Sequence, residues 1–143
     1  MLSKNQLPSR QQAWRIGVID GRDYDEQSKL GKARVRFEDK APGILTKPLP
    51  VSFPFTGENK CYAMPKVGDR VVVMTDERTE DGIIMGSIYT KQNQPLPDNS
   101  DIYQIKFGDD TTIEYDKNTK TVTINSAGNI RINSEGKVYI NSD

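Results

Sequence analysis

The residues of this chain that could do chemistry are carboxylates, aromatics and lysines, because its 143 residues include no histidine and a single cysteine, Cys61. The absence of histidine removes the usual general base and every Ser-His or Cys-His arrangement. The chain also has no Gly-x-x-x-x-Gly-Lys phosphate loop. We therefore expect no catalytic residues, no metal ligands and no cofactor, and we interpret the protein as not an enzyme.

Three acidic segments could in principle hold a cation. Asp23-Tyr24-Asp25 begins like a calcium loop, but the EF-hand pattern then requires Gly at its sixth position and Glu at its twelfth, where this chain has Ser28 and Arg34. A solvated loop explains that segment better than a metal site. Residues 76–81 are interpreted as a charged hairpin tip, and Asp109-Asp110 as a turn.

A nucleic-acid or sugar site is the remaining candidate. Three aromatic residues lie near two lysines in the sequence: Phe53, Phe55 and Tyr62 near Lys60 and Lys66. Small β-barrels bind single-stranded nucleic acid through aromatic residues in a basic groove. However, twenty basic and twenty acidic residues give zero net charge, which argues against general attraction to nucleic acid or to an anionic membrane. We interpret these aromatics as core or interface residues and expect no nucleic-acid binding. A binding module for oligonucleotide or oligosaccharide is the alternative function, and a glycan-active enzyme that uses carboxylates is a third candidate.

Five segments in the first part of the chain have the composition and alternation of short β-strands. In residues 31–38, Ala33, Val35 and Phe37 are predicted to face the core, and the run Val71–Met74 is predicted to be buried on both sides. Residues 21–28 and 39–48 are predicted to be loops, and 56–65 a loop with a helical turn. Five short strands in about 75 residues predict a small Greek-key barrel of the OB type. The predicted strands are 14–20, 31–38, 49–55, 69–75 and 82–90.

From Ile105 onward the chain repeats one pattern every eight or nine residues. Each octad places two apolar residues on either side of one other residue and then has a polar turn. The last three octads also keep the turn in register, with Ile-Asn-Ser ending at Ser126, Ser134 and Ser142. The alternation predicts strands with one apolar face, and the fixed period predicts a repeat architecture. The apolar residues of the five octads are Ile105, Phe107, Ile113, Tyr115, Val122, Ile124, Ile130, Ile132, Val138 and Ile140.

These octads predict association between copies of the chain. A single short strand cannot bury its apolar face, and five octads make fewer than two coils of a three-sided solenoid, too few for one chain to be stable. We therefore predict an intertwined homotrimer, a β-helical needle whose dry interior is formed by the ten apolar residues. A twisted meander of hairpins within one chain is the alternative. It explains the strands and turns, but not the eight-residue register.

The predicted fold class is all-β, with an N-terminal OB-fold barrel followed by a C-terminal intertwined trimeric β-helix. The predicted boundaries are an N-terminal arm at 1–13, the barrel at 14–91, a linker with Pro95 and Pro97 at 92–101, and the spike at 102–143. The hydrophobic content of 34% is low for one compact domain and suits an elongated or oligomeric β-structure.

Three stretches resemble a known family. They are Gly31 to Asp39, the run from Pro65 to Val73 that matches Pro-x-Val-Gly-Asp-x-Val-x-Val, and the segment from Gly82 to Tyr89 that ends in Gly86-Ser-Ile-Tyr. Together with the proline-bearing link and the octads, they resemble the phage baseplate assembly protein V family in the same order. These proteins are the central spikes of contractile tails, related to the VgrG spikes of type VI secretion.

The resemblance implies a virion protein of the tail baseplate, made in the host cytoplasm. It implies a homotrimer that docks on the baseplate hub and tail tube proteins and pierces the host envelope when the sheath contracts. Several family needles end in a His-x-His apex that binds iron, and this chain has no histidine, so we expect no such apex.

Five octads at a strand spacing of about 4.7–4.9 Å give a needle on the order of 25 Å. That length is short against a bilayer core of about 30 Å. We therefore hypothesise a separate tip protein at the Asp143 end.

Overall fold

The computed structural model describes residues 13–38, 43–76, 81–95 and 99–142. The predicted N-terminal arm up to residue 12, most of the predicted hairpin tip at 77–80, and Pro97 and Asp143 lie outside the described residues. The chain divides into two compact units, an N-terminal unit, Met1–Gln94, and a C-terminal unit, Pro95–Asp143. This division lies within the predicted linker at 92–101.

Nearly all of the regular structure is antiparallel β-sheet, so the predicted all-β class is confirmed. The described residues form no helix long and apolar enough to cross a bilayer. The elements in chain order are β1 Trp14–Ile19, α1 Tyr24–Ser28, β2 Lys32–Ala33, β3 Val35–Phe37, β4 Ile44–Leu45, β5 Leu49–Pro50, β6 Arg70–Thr75, β7 Gly82–Ser87, β8 Ile102–Lys106, β9 Thr112–Asp116 and β10 Thr121–Asn125.

The N-terminal unit contains a five-stranded sheet in the order β4-β3-β1-β6-β7 and a two-stranded sheet of β2 and β5. The small sheet adjoins the large one at two places. Only Arg34 separates β2 from β3, and Val51, just after β5, forms a parallel bridge with Ile84 of β7. The amide of Ser52 donates to the Ile84 carbonyl at 2.9 Å beside this bridge. The small sheet therefore links β3 to β7 through short contacts rather than a long ladder.

The core of the N-terminal unit lies on the inner side of these strands. As predicted, Ala33, Val35 and Phe37 face inward and are fully buried. The guanidinium of Arg15, itself buried, lies 4.9 Å from the centre of the Phe37 ring, an arrangement that favours a cation over the ring face. The buried apolar residues are Ile19, Ala33, Val35, Phe37, Leu49, Met64, Val71, Val73 and Ile84.

The helix α1 lies in a segment predicted to be a loop, so that prediction was wrong. Asp23 precedes it with a left-handed backbone (φ 55°), and its carbonyl accepts from the amide of Gln27 at 3.1 Å. The hydroxyl of Tyr24 donates to the Pro65 carbonyl at 2.6 Å, which ties the helix to a segment 41 residues away. A five-residue helix held by such a distant contact has no periodic signal in its own sequence.

The predicted loop at 39–48 contains strand β4, which is a second correction. Thr46, next to β4, is buried and clamps the strand end against β3. Its amide donates to the Val35 carbonyl, and its hydroxyl accepts from the Val35 amide, both at 2.9 Å. In contrast, the helical turn predicted within 56–65 is absent, and that segment has an isolated bridge between Thr56 and Lys60.

Strand β6 is buried on one side only, although the run Val71–Met74 was predicted to be buried on both. Val71 and Val73 are fully buried, whereas Val72 is half-buried and Met74 is exposed. The reason is that the described part of the chain supplies no second layer on the outer side of this sheet.

The C-terminal unit contains the three-stranded antiparallel meander β8-β9-β10. Its turns use Asp110 (φ 70°) and Lys120 (φ 56°), both in the left-handed region. In the first turn, the Asp109 carboxylate accepts from the side chain and the amide of Thr111, and these bonds lower the pKa of Asp109. No described residue between 126 and 142 belongs to a strand.

We expect Gly17→Ala to destabilise the N-terminal unit. A Cβ at Gly17 would lie 2.4 Å from Val35 Cγ1 and 2.8 Å from the Arg36 carbonyl oxygen, so the strands β1 and β3 would have to separate. Overpacking of this kind costs about 1–3 kcal/mol, measurable as a loss in the free energy of unfolding by chemical denaturation. Gly57→Ala is the control, because a Cβ there meets nothing within 4 Å. Equal stability of the two variants would contradict the packing described for β1.

We also expect Tyr24 to make stability depend on alkaline pH. Burial raises the pKa of Tyr24 above 10.0, with smaller contributions from the charges of Tyr62, Asp69 and Asp25. The unfolded chain therefore ionises this phenol first, and its contribution to stability is lost as the pH rises past 10.0. Between about pH 9 and pH 11, the free energy of unfolding should fall less steeply with rising pH for Tyr24→Phe than for the parent. Chemical denaturation at each pH measures this free energy. Tyr89→Phe, which removes an exposed phenol, should retain the parental slope.

Candidate functional site

The described residues of the acidic segments do not assemble a metal site. Asp23, Asp25 and Glu26 line an open groove of about 300 Å³ with Gly21 and Val67, and all three acidic side chains are exposed. Within the described ranges, no group of three or more Asp, Glu, Cys or His side chains is placed to hold a cation.

The aromatic residues do not form an open stacking platform. The rings of Phe53 and Tyr62 stack on each other, with centroids 5.9 Å apart and planes at 29°. Phe53 packs against the core, and the Tyr62 hydroxyl donates to the Ser28 carbonyl at 3.1 Å. Phe55 is exposed, as are Lys60 and Lys66. The interpretation of Phe53 as a core residue agrees with these contacts.

The strongest candidate for function is one face of the β8-β9-β10 sheet. Ladder register places its large apolar side chains in two rows that cross all three strands. Because residues paired directly across an antiparallel ladder lie on the same face, every member of both rows projects from one side. We name this surface the apolar sheet face, and its rows are Tyr103, Tyr115 and Val122, and Ile105, Ile113 and Ile124.

The opposite side of the sheet is polar except for Ile102 near the start of β8, and several of its polar side chains contact one another. Gln104 Nε2 donates to Glu114 Oε1 at 3.1 Å, and Glu114 is paired in register with Thr123. Lys106 lies 3.4 Å from the Asp110 carboxylate. The sheet is therefore amphipathic, with one side suited to water and the other to an apolar partner.

After β10, two successive corners have the same local geometry. The amide of Gly128 donates to Ser126 Oγ at 3.1 Å, and the amide of Gly136 donates to Ser134 Oγ at 3.1 Å. Serine hydroxyls that accept from an amide two residues later stabilise tight turns. The eight-residue register read from the sequence thus reappears as a repeated hydrogen bond.

The main chain beyond the meander has no ladder partner. Among the described residues 127–142, no amide or carbonyl forms a backbone-to-backbone hydrogen bond. Ile130, Ile132, Val138 and Ile140 in this segment are all more than half exposed. The segment therefore has both free backbone groups and uncovered apolar side chains, the two properties of a strand before it pairs.

All ten residues predicted to form the trimer interior are exposed in the single chain, with exposed fractions from 38% at Tyr115 to 88% at Ile140. No described side chain between 99 and 142 is buried. A unit of this size that buries no apolar side chain lacks the main favourable term of folding. The apolar side chains of the C-terminal unit are therefore uncovered in the single chain.

Sequence reasoning omitted Tyr103 from this surface. It lies two residues before Ile105, is 63% exposed, and its ring centre is 6.5 Å from that of Tyr115. The period-two alternation from Tyr103 through Ile105 to Phe107 could have found it. The first three apolar pairs lie on or beside a meander of hairpins, the alternative that the sequence left open, whereas the last two pairs lie outside any sheet.

No protein-family model matches the chain, and no curated protein matches it significantly. The function has to be argued from the surfaces described above.

We expect a charge on the apolar sheet face to prevent association. Ile113 is on the central strand of the sheet, so Ile113→Asp would place a carboxylate in the covered interior, where an unpaired charge costs several kcal/mol. Sedimentation velocity of the variant should show a smaller species than the parent.

Thr112→Asp is the matched control for that variant. Thr112 is the adjacent residue, faces the polar side and is paired in register with Lys106, which can neutralise the new carboxylate. The control should keep the parental mass. If Ile113→Asp sediments like the parent, the apolar sheet face is not an association surface.

Proposed function

We propose that the protein is the homotrimeric central spike of a contractile phage tail or a related injection system. In this proposal an OB-type barrel in the N-terminal unit docks on the baseplate hub and tail tube proteins. The C-terminal unit winds with two other copies into a β-helical needle that pierces the host envelope on contraction.

The observation that carries the proposal is the state of the C-terminal unit. It combines a sheet with one apolar face, a following segment without ladder partners, and corners that repeat the same serine–glycine hydrogen bond eight residues apart. Self-association provides identical partners for identical repeats, which a single unrelated protein does not. A rigid needle built from several chains is the structure to which such a segment is suited.

The order of strand pairing in the N-terminal unit supports the OB part of the proposal. β1 pairs with β3 and with β6, β6 pairs with β7, and β2 pairs with β5. If β2 and β3 are taken as one strand bent at Arg34, the bridge between Val51 and Ile84 completes a cyclic order of five strands. That cyclic order is the one expected of a small five-stranded Greek-key barrel.

The motifs that carry the family resemblance have structural roles here. In the run from Pro65 to Val73, Gly68 adopts φ 91°, and Asp69 Oδ2 accepts from the Lys66 amide at 2.8 Å. Gly86 adopts φ 154° next to the register shift between β6 and β7. Glycine suits both backbone conformations because it has no Cβ. The matching residues therefore lie at turns that determine the backbone path of the N-terminal unit. The resemblance supports a similar architecture for this reason.

The first test is the mass of the protein in solution. The parent should sediment as three chains and should resist dissociation by heat or SDS, because apolar side chains of all copies would be interleaved. A monomer that binds an oligonucleotide or oligosaccharide with salt-dependent affinity would instead favour the alternative function, a binding module.

A truncation locates the source of association. Removing residues 102–143 should leave a folded N-terminal unit that associates only weakly, since this unit already buries a core of its own. Circular dichroism would report the fold and sedimentation the mass. A truncated chain that forms trimers as tightly as the parent would show that the needle is not the main source of association.

The biological role is tested on particles from the producing cells. Electron microscopy with an antibody against the chain should label the baseplate end of a contractile tail. Deletion of the gene should leave tails without a central spike that fail to deliver their contents. Labelled protein found only free in the cell, with normal particles after deletion, would contradict the proposal.

A further inference from the structure

Two Asp-Gly pairs occur in the sequence, Asp20-Gly21 and Asp81-Gly82, and the fold gives their carboxylates different contacts. In an Asp-Gly pair the aspartate carboxyl group can react with the main chain, because glycine has no Cβ to shield its own amide nitrogen. The reaction requires the carboxyl group to approach the amide of the following glycine. The contacts of the two carboxylates therefore decide which pair is reactive.

The Asp81 carboxylate lies directly against the amide of Gly82. The Gly82 N–H donates to Asp81 Oδ1 at 2.9 Å, which brings the amide nitrogen close to the carboxyl carbon that it would attack. Asp81 Oδ1 also lies 3.5 Å from the Lys47 ammonium, but the two side chains are 67% and 57% exposed. An exposed ion pair of this kind is weak, so it does not prevent the carboxyl group from reorienting.

The ladder between β6 and β7 leaves the Gly82 amide in place for this contact. The Asp76 amide donates to the Asp81 carbonyl at 3.1 Å, so these two residues belong to a hydrogen-bonded pair. The next pair along an antiparallel ladder, Thr75 and Gly82, is then one without mutual hydrogen bonds. The Thr75 amide accordingly donates to the Ala13 carbonyl at 3.1 Å, and the Gly82 amide points away from β6.

Packing explains why glycine occupies position 82. A Cβ there would lie 2.4 Å from the Met74 carbonyl oxygen and 3.3 Å from Val73 Cγ1, so a larger residue would push β7 away from β6. The hydrogen bond to Asp81 in turn satisfies the Gly82 amide, which is its structural role. The reactive arrangement is therefore a by-product of the close approach of the two strands.

The Asp20 carboxylate, in contrast, is directed to groups other than the Gly21 amide. Its Oδ1 accepts from the Arg22 amide at 2.9 Å, and its Oδ2 accepts from the Arg36 guanidinium. Asp20 is also only 8% exposed. A carboxylate that turned toward Gly21 would lose charge-assisted hydrogen bonds, which are the stronger kind. Asp20 thus provides an internal comparison within the same chain.

We propose that Asp81-Gly82 is a site of spontaneous modification, at which Asp81 converts to isoaspartate. The Gly82 nitrogen bonds to Asp81 Cγ and loses its proton, Cγ loses its hydroxyl group as water, and a five-membered succinimide ring forms. Water then opens the ring at one of its two carbonyls. Opening at the former main-chain carbonyl leaves the chain running through Cβ and Cγ of residue 81. One water leaves and one enters, so no further reactant is needed.

The product changes the main chain at the start of β7. Isoaspartate adds one atom to the backbone, and the carbonyl that accepts from Asp76 becomes part of a free carboxylate. This change displaces the end of the ladder between β6 and β7. Because β7 contributes the buried Ile84 to the core, we expect modified chains to have a lower free energy of unfolding than unmodified chains.

The test follows both Asp-Gly pairs in the full-length protein, incubated at neutral pH and physiological temperature in water enriched in heavy oxygen. Trypsin then releases Asp20 in the peptide 16–22 and Asp81 in the peptide 79–91. An isoaspartyl peptide has the composition of its parent but elutes separately, and ring opening leaves one heavy oxygen in it. We expect this product to accumulate at least several-fold faster at Asp81 than at Asp20.

Two controls separate the effect of the fold from that of the sequence. In denaturant the two pairs should react at similar rates, because their carboxylates then have no fixed contacts. Asp81→Glu retains the charge near Lys47 but would require a six-membered ring, so its peptide should take up no heavy oxygen by this route. Circular dichroism confirms that this variant is folded.

The rates at the two sites decide the inference. Equal rates in the folded protein, or a faster reaction at Asp20, would overturn it, because the contacts described would then not control the reaction. An unmodified Asp81 in the folded protein, over a period in which the denatured chain reacts, would overturn it as well. None of these results depends on the number of chains in the assembly, so the inference stands or falls separately from the proposed function.

Discussion

One feature dominates the C-terminal third of this protein: in the single chain, the described apolar side chains have no covering layer, and the described main chain from residue 127 to 142 has no ladder partner. The meander β8-β9-β10 pairs its own strands, but it places Ile105, Ile113 and Ile124 in a row with no layer against them. The segment that follows lacks even ladder partners. Desolvation of apolar surface is the dominant favourable term in folding, and the single chain gains little of it in this unit.

The N-terminal unit, in contrast, covers the apolar side chains on its inner side by itself. Nine of the described apolar residues are buried there. The amide of the buried Thr46 donates to the Val35 carbonyl, and the Thr46 hydroxyl accepts from the Val35 amide. This unit thus has a core of its own, while apolar side chains on its outer side remain about half exposed. The chain thus combines one unit with a buried core and one unit in which no described side chain is buried.

Sequence reasoning predicted the long strands and missed the short elements. β1, β6 and β7 have six residues each with continuous or alternating apolar patterns, and these patterns specify strands locally. Strand β4 has two residues and α1 has five, and each is held by a distant partner, Val35 in one case and Pro65 in the other. Such contacts are decided by tertiary structure and leave no trace in local periodicity.

For the candidate site, the sequence predicted which side chains share a face but not which strands pair. Period-two alternation assigns Ile113 and Tyr115 to one side, and the register agrees. Pairing depends on turns, and here Asp110 and Lys120 adopt left-handed conformations that close hairpins. The octad spacing is compatible with hairpins and with coils, so it could not choose between them. What lies against the face in the proposed trimer cannot be read from the alternation of one strand.

The repeated corners at Ser126–Gly128 and Ser134–Gly136 have a consequence for how such a chain can change in evolution. Each octad is an interchangeable module that begins and ends at the same kind of bend. Duplication or loss of a whole octad keeps every apolar pair on its side of the strand, whereas a change by an odd number of residues turns the following strand over. The length of the repeat segment can therefore change in steps of eight residues without any change in the sequence of the N-terminal unit.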